Sequence, residues 1–218
     1  MKRVTLFCGH YGSGKTNIAV SYALRLRAEG LPVTVADLDI VNPYFRTKDS
    51  TADFEAAGIR LVCSKYANTN LDIPALPEDL YVITDDKATY AVIDVGGDDR
   101  GALALGRLTP ALRAEDSYEM LMVINRYRPL TPDAASTLEV MREIEAACGI
   151  PFTGLVNNSN LGEETTAEDV LASVKYGEEV SALSGLPVRM TAVKADLCPR
   201  LEGKIPNLLP LTLQKKPI

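Results

Sequence analysis

The residues best equipped for chemistry stand near the amino end, as Gly9-His10-Tyr11-Gly12-Ser13-Gly14-Lys15-Thr16. The spelling is G-x-x-x-x-G-K-[ST], set between the apolar run Val4-Thr5-Leu6-Phe7-Cys8 and a helical pattern that begins around Asn17. Glycine reaches backbone torsions that other residues avoid, so successive N–H groups can turn inward and ring a phosphate. A helix starting behind the loop adds roughly half a positive charge. Lys15 supplies a point cation for the outer phosphates and is the first candidate catalytic residue. The Thr16 hydroxyl is a candidate Mg²⁺ ligand. Gly9, His10, Tyr11, Gly12, Ser13, Gly14, Lys15, Thr16 and Asn17 form the candidate nucleotide-binding set.

Carboxylates follow at two strand ends. The short apolar run Val33-Thr34-Val35-Ala36 leads into Asp37-Leu38-Asp39. Residues i and i+2 of an extended chain share a side, so both aspartates can face the loop from the ligand-binding edge of an open α/β sheet. Tyr90-Ala91-Val92-Ile93 ends in Asp94, followed by Val95-Gly96-Gly97. A carboxylate there suits Mg²⁺, which takes oxygen ligands and keeps several waters; the glycines allow close backbone approach to a γ-phosphate. Thr16 and Asp94 are the expected metal ligands, with Asp37 facing the same site. Late in the chain, Gly154-Leu155-Val156 runs into Asn157-Asn158-Ser159-Asn160. An amide can both donate to and accept from the adenine N6/N7 edge. A guanine site of the N-K-x-D kind needs a carboxylate where Asn160 stands, and an amide offers one acceptor atom. ATP is therefore favoured over GTP.

The elements that must hold these residues alternate. Helical spacing follows the loop to about Glu29, with Ile18, Ala19, Tyr22, Ala23 and Leu26 on one stripe. A short helix over 51–57 precedes a strand over 59–62, and 64–88 read as a loop followed by a helix. Residues 101–114 read helical and 118–124 as a buried strand. Thr131 is expected to cap a helix with Pro132 at its first position and Asp133 in its first turn. Thr165-Thr166-Ala167-Glu168 reads as a capping box opening the last helix, and Pro187 to Val193 as the final strand. Such alternation predicts an α/β domain with a mostly parallel twisted sheet of about seven strands and helices on both faces. The expected organisation is one nucleotide-binding domain over 1–200 and a proline-containing tail over 201–218, packed on the domain or loose.

Bulk properties narrow the function. The chain has 218 residues and a formal net charge of −6, with basic pairs only at Lys2-Arg3 and Lys215-Lys216. Neither nucleic acid nor an anionic membrane surface is an expected partner. No run is apolar enough to cross a membrane. The four cysteines are scattered with no C-x-x-C pair, which fits buried thiols and a reducing cytoplasm.

The order of these motifs resembles the CobQ/CobB/MinD/ParA class of nucleotide-binding domains, within the superfamily that includes the nitrogenase iron protein. The resemblance covers roughly residues 1 to 200. It implies that Asp39 positions the attacking water as a second catalytic residue, that Asp37 stands nearer the metal, and that Asn158 reads adenine. Pro187 is counted in the same nucleotide-binding set. One departure matters. Partitioning ATPases of this class carry K-G-G-x-G-K-[ST], whose first lysine reaches a dimer partner's phosphates; His10 and Tyr11 stand here instead of that lysine and the following glycine. Two functions are compatible with this pattern, both using ATP and Mg²⁺. One is a slow ATPase acting as a nucleotide-dependent switch for a protein partner, with homodimerisation left open. The other is an ATP-dependent ligase or kinase resembling the dethiobiotin and cobyrinate synthetases, with a small-molecule acceptor held near Arg46 and Arg100.

Overall fold

In the computed structural model, residues 1–38, 50–63, 78–97, 105–115 and 117–212 are described. Apolar runs become strands buried on both sides, as a parallel sheet covered by helices requires. The elements are β1 (Val4–Cys8), α1 (Lys15–Ala28), β2 (Val33–Leu38), α2 (Thr51–Ala57), β3 (Arg60–Cys63), α3 (Val82–Asp85), β4 (Tyr90–Val95), α4 (Thr109–Glu115), β5 (Tyr118–Ile124), α5 (Ala134–Cys148), β6 (Gly154–Asn157), α6 (Ala167–Ser184), β7 (Val188–Lys194), α7 (Cys198–Leu201) and β8 (Leu208–Leu211). A 3₁₀ turn, Glu78–Tyr81, leads into α3.

The eight strands of the described residues run parallel in the order β3-β2-β4-β1-β5-β6-β7-β8. From β1 the chain travels toward β2, whereas from β5 it travels toward β6. The connections thus part between β1 and β5, the switch point outside which α/β sheets bind ligands. The core has two layers. Side chains of α1 and α2 such as Ile18, Leu26 and Phe54 pack on one face with Phe7, Val35 and Val92. Side chains of α3, α4, α5 and α6 such as Ile83, Leu112, Met141 and Val180 cover the other with Leu6, Ile93 and Met122.

The strand count exceeds the sequence expectation by one, and the addition is β8. Leu208-Leu209-Pro210-Leu211 pairs with β7, and buried Leu209 and Leu211 join the cluster around α1. Proline is tolerated because β8 is an edge strand among the described residues, paired only with β7. Two helix starts also shift. Thr131 spends its hydroxyl on the Asn125 carbonyl at 2.8 Å. The cap of α5 is Asp133 instead, which accepts from the Ser136 N–H at 2.9 Å. The capping box of α6 lies one residue later than expected, with Thr166 and Asp169 bonding reciprocally.

At the amino edge of the sheet, Arg3 locks the start of β1. Its guanidinium donates to the carbonyls of Ile83 at 2.8 Å and Asp86 at 3.0 Å, and it pairs with both oxygens of Glu115 at the end of α4. Lys87 adds a second cation to Glu115 at 2.7 Å. Through Arg3, α3 and α4 are pinned to the strand that carries the phosphate loop.

Candidate functional site

The loop leaves β1 at the switch point, and glycine is required at each bend. Gly9, Gly12 and Gly14 have φ of +151°, +76° and +91°. A Cβ on Gly9 would stand 2.5 Å from the Val123 carbonyl of β5, and one on Gly14 would collide with the Asn158 amide. The loop closes on itself through Ser13 N–H donating to the His10 carbonyl at 3.1 Å. Because Gly14 is left-handed, α1 begins directly at Lys15 and opens its first N–H groups onto the loop. Lys15 is buried, with its ammonium 3.3 Å from the His10 carbonyl. Gly97, beyond β4, presses on the same place: a Cβ there would lie 2.7 Å from the Tyr11 nitrogen and 2.9 Å from the Lys15 ammonium. Tyr11 stands outward at the tip, Gly12 is exposed beside it, and Asn17 lies partly buried on the first turn of α1.

The candidate metal ligands converge beside Lys15. Thr16 Oγ1 donates to Asp94 Oδ2 at 2.7 Å. Asp37 and Asp94 are register partners on β2 and β4, so their Cα atoms stand about 5 Å apart with side chains on one face. That is the α1 face, since Val35 of β2 and Val92 of β4 pack against α1 residues from the same side. A hydroxyl and two carboxylates on one shelf, all buried, are a donor set that suits Mg²⁺: hard oxygens, too few to fill an octahedron, leaving positions for water and phosphate. Asp39 lies outside the described residues, as do Arg46 and Arg100.

No family model and no curated protein matches the chain. Solved structures do. FtsY from Thermotoga maritima aligns at 17% identity over 88% of this chain and 62% of its own, with a TM-score of 0.61. Chloroplast FtsY from Physcomitrella patens aligns at 18% identity over 88% of this chain and 58% of its own, with a TM-score of 0.62. The signal recognition particle 54 kDa protein from Aeropyrum pernix K1, solved with GDP, aligns at 16% identity over 87% and 41%, with a TM-score of 0.53. The chain spans about three fifths of the length of the two FtsY structures. At such identities the likeness is one of fold. The chain has the α/β phosphate-loop NTPase fold.

On this NTPase fold the remaining candidates fall in different places. Asn158 reaches the loop, its Nδ2 donating to the Ser13 carbonyl at 2.6 Å, while its buried Oδ1 has no partner among the described residues. Asn157 points the other way, holding Ser173 of α6 at 3.0 Å and accepting from Ser159 at 2.8 Å. Asn160 bends back, donating to the Asn158 carbonyl at 2.8 Å and accepting from Gly162 N–H at 3.1 Å. Pro187 is not brought to the site. It precedes β7 at the amino edge, where its carbonyl accepts from Leu155 N–H at 2.9 Å, while the loop lies at the carboxyl edge. A residue that opens a parallel strand starts a strand's length away from the ligand edge. The residue missed was Arg128, on the loop after β5, whose guanidinium flanks Gly12.

His10 donates from Nδ1 to the Tyr11 carbonyl at 2.9 Å. Its ring lines a cavity of about 90 Å³ on the α5 face, with Cys8, Gly96, Gly97, Glu143 and Cys148 among the walls. Burial pushes the Cys8 thiol well above its ordinary range, and its hydrogen bond with Cys148 adds to that.

Proposed function

We propose that the chain binds a nucleoside triphosphate with Mg²⁺ and hydrolyses it slowly, acting as a nucleotide-dependent switch of the MinD/ParA-like kind. The observation that carries this reading is the convergence of Lys15, Thr16, Asp94 and Asp37 at the head of α1, beside a loop of left-handed glycines. Bound there, Mg²⁺ would neutralise phosphate charge, with Thr16, Asp94 and Asp37 as its protein-side ligands. Lys15 and the loop N–H groups hold the phosphates in place, and Asp39 orients the attacking water. Catalysis of this kind is positioning and electrostatics rather than covalent chemistry. ATP is the preferred base reading, because Asn160, where a guanine-binding carboxylate would stand, spends its amide within its own turn.

A switch needs a surface that a partner can read. Tyr11, Leu130 and Leu161 are large apolar residues exposed by 57%, 51% and 46%, and they stand on the loops that follow β1, β5 and β6. All three loops leave the carboxyl edge. Partner contact, by another protein or a second copy of this chain, is therefore proposed at the rim of the nucleotide site. The second reading, phosphoryl transfer to a small acceptor, is favoured by the cavity beside Gly96, Gly97 and His10.

Calorimetry with Mg-ATP and Mg-GTP tests the first reading. Wild type is expected to bind ATP more tightly, and Lys15→Ala to lose at least about 100-fold in affinity, as removal of a buried charge-assisted contact does. Equal affinity in the variant would remove the loop from the mechanism. Slow turnover without any acceptor, together with a nucleotide-dependent mass change in light scattering, supports the switch over the transferase.

A further inference from the structure

The loop over 125–131 crosses the switch point from β5 toward the phosphate loop, and nearly every polar group on it is tied down. Asn125 Oδ1 accepts from Tyr127 N–H at 3.0 Å, and Thr131 Oγ1 donates to the Asn125 carbonyl at 2.8 Å. Arg126 donates from its backbone to Ser159 Oγ at 3.1 Å and from its side chain to the Ala172 carbonyl at 3.2 Å. Tyr127 donates to the Asp169 carbonyl at 3.3 Å. Arg128 is the exception. Among the described residues its guanidinium has no acceptor, and its Nε is shut off from solvent without a hydrogen bond.

Where the guanidinium lies is equally specific. A Cβ on Gly12 would stand 3.8 Å from Arg128 Nε and 3.9 Å from Cζ, so the group rests against the tip of the phosphate loop. Pro129 follows and restricts the Arg128 backbone, which reduces the freedom lost when the side chain is held. Among the described residues the guanidinium has no ion pair, although the chain carries 29 acidic residues against 23 basic ones. A buried donor without an acceptor costs about 1–3 kcal/mol, and a planar guanidinium matches phosphate oxygens with two parallel N–H bonds. Nearby on the phosphate loop, Ser13 Oγ is also buried without a partner among the described residues.

We propose that Arg128 is a phosphate ligand acting within the same chain, a second cation beside Lys15 for a ligand that carries several negative charges. The assignment rests on the nucleotide reading above and deepens it. Arg128 fixes the phosphate chain from the β5 side of the switch point, while Lys15 holds it from the α1 side. Binding of the anion satisfies the donor that has no acceptor among the described residues.

The test is calorimetry of wild type, Arg128→Gln and Arg128→Lys with Mg-ATP and with inorganic tripolyphosphate, which has no base, at several salt concentrations. Melting of the unliganded proteins is measured alongside. Arg128→Gln is expected to weaken both ligands about 10- to 100-fold and to flatten the salt dependence. Its unliganded melting temperature should be unchanged or higher, because an unsatisfied buried donor is gone. Arg128→Lys should keep the salt dependence and recover part of the affinity. Unchanged affinity in Arg128→Gln overturns the proposal, and so does a loss accompanied by a lower unliganded melting temperature, which would make the residue structural. A wild type that binds neither ligand overturns the nucleotide reading itself.

Discussion

Gly97 shows how much of the site depends on one missing methyl group. Its hypothetical Cβ would fall within 3.0 Å of Tyr11 N, Lys15 Nζ and the Gly9 carbonyl, two of them backbone atoms that cannot swing aside. Gly97→Ala is therefore expected to shift the loop and its lysine, lowering nucleotide affinity roughly 10- to 100-fold in calorimetry while leaving far-ultraviolet circular dichroism unchanged. Beside the role toward the phosphate expected from sequence, Gly97 makes room for the loop itself. At this scale the readable residues were those whose chemistry is local: Lys15 and Thr16 within one motif, and Asp37 and Asp94 at the ends of apolar runs. Arg128 was not readable, because its significance comes from a contact between loops more than a hundred residues apart, and no spacing encodes that. Pro187 was misplaced for a related reason: proximity to the ligand depends on which end of a strand a residue occupies.

Between elements, an electrostatic lock lies at the edge opposite the site. The Arg3 guanidinium beside Glu115 holds its carboxyl down to about 2, with Lys87 contributing, against an ordinary 4.5. A carboxyl depressed on folding adds stability that is fully present above the unfolded value and is lost as pH falls through the folded one. Thermal melts of wild type should therefore lose stability between about pH 4.5 and pH 2. Glu115→Gln should melt roughly 5–10 °C lower at pH 7 and show a flatter acid limb, since it leaves Arg3 partly buried without its carboxylate. An unchanged acid limb would mean that this lock does not couple α4 to β1. The long helices α1, α5 and α6 were legible from periodicity, whereas the four-residue α7 was not expected, and the caps of α5 and α6 shifted. Thr131 and Asp133 are both competent capping residues, and the choice fell to the one whose neighbour did not claim it. The Asn125 carbonyl claimed Thr131.

Taken whole, the sheet wraps far enough for its last strand to reach its first helix. Leu209, fully buried, packs in the cluster that also holds Ile18, Ala19 and Leu26 of α1. Leu209→Ala should cost about 2–5 kcal/mol in denaturant unfolding. Nucleotide at 100 times its Kd should return about 2.7 kcal/mol by mass action, because it binds only the folded form. A variant that unfolds like wild type would separate β8 from the core. The alternation of strands and helices made the central sheet legible from sequence, but β8 escaped because Pro210 and the prolines around it mimic an irregular tail. Pro210 also bears on how molecules meet. An open parallel sheet ends in a row of backbone groups able to recruit a strand from another chain, and Pro210, exposed on that outer strand, contributes no N–H to such a row. The residue that disguised the strand in the sequence is also one that keeps this border of the sheet from growing into a neighbour, so crowded molecules can meet here without adding strands to one another.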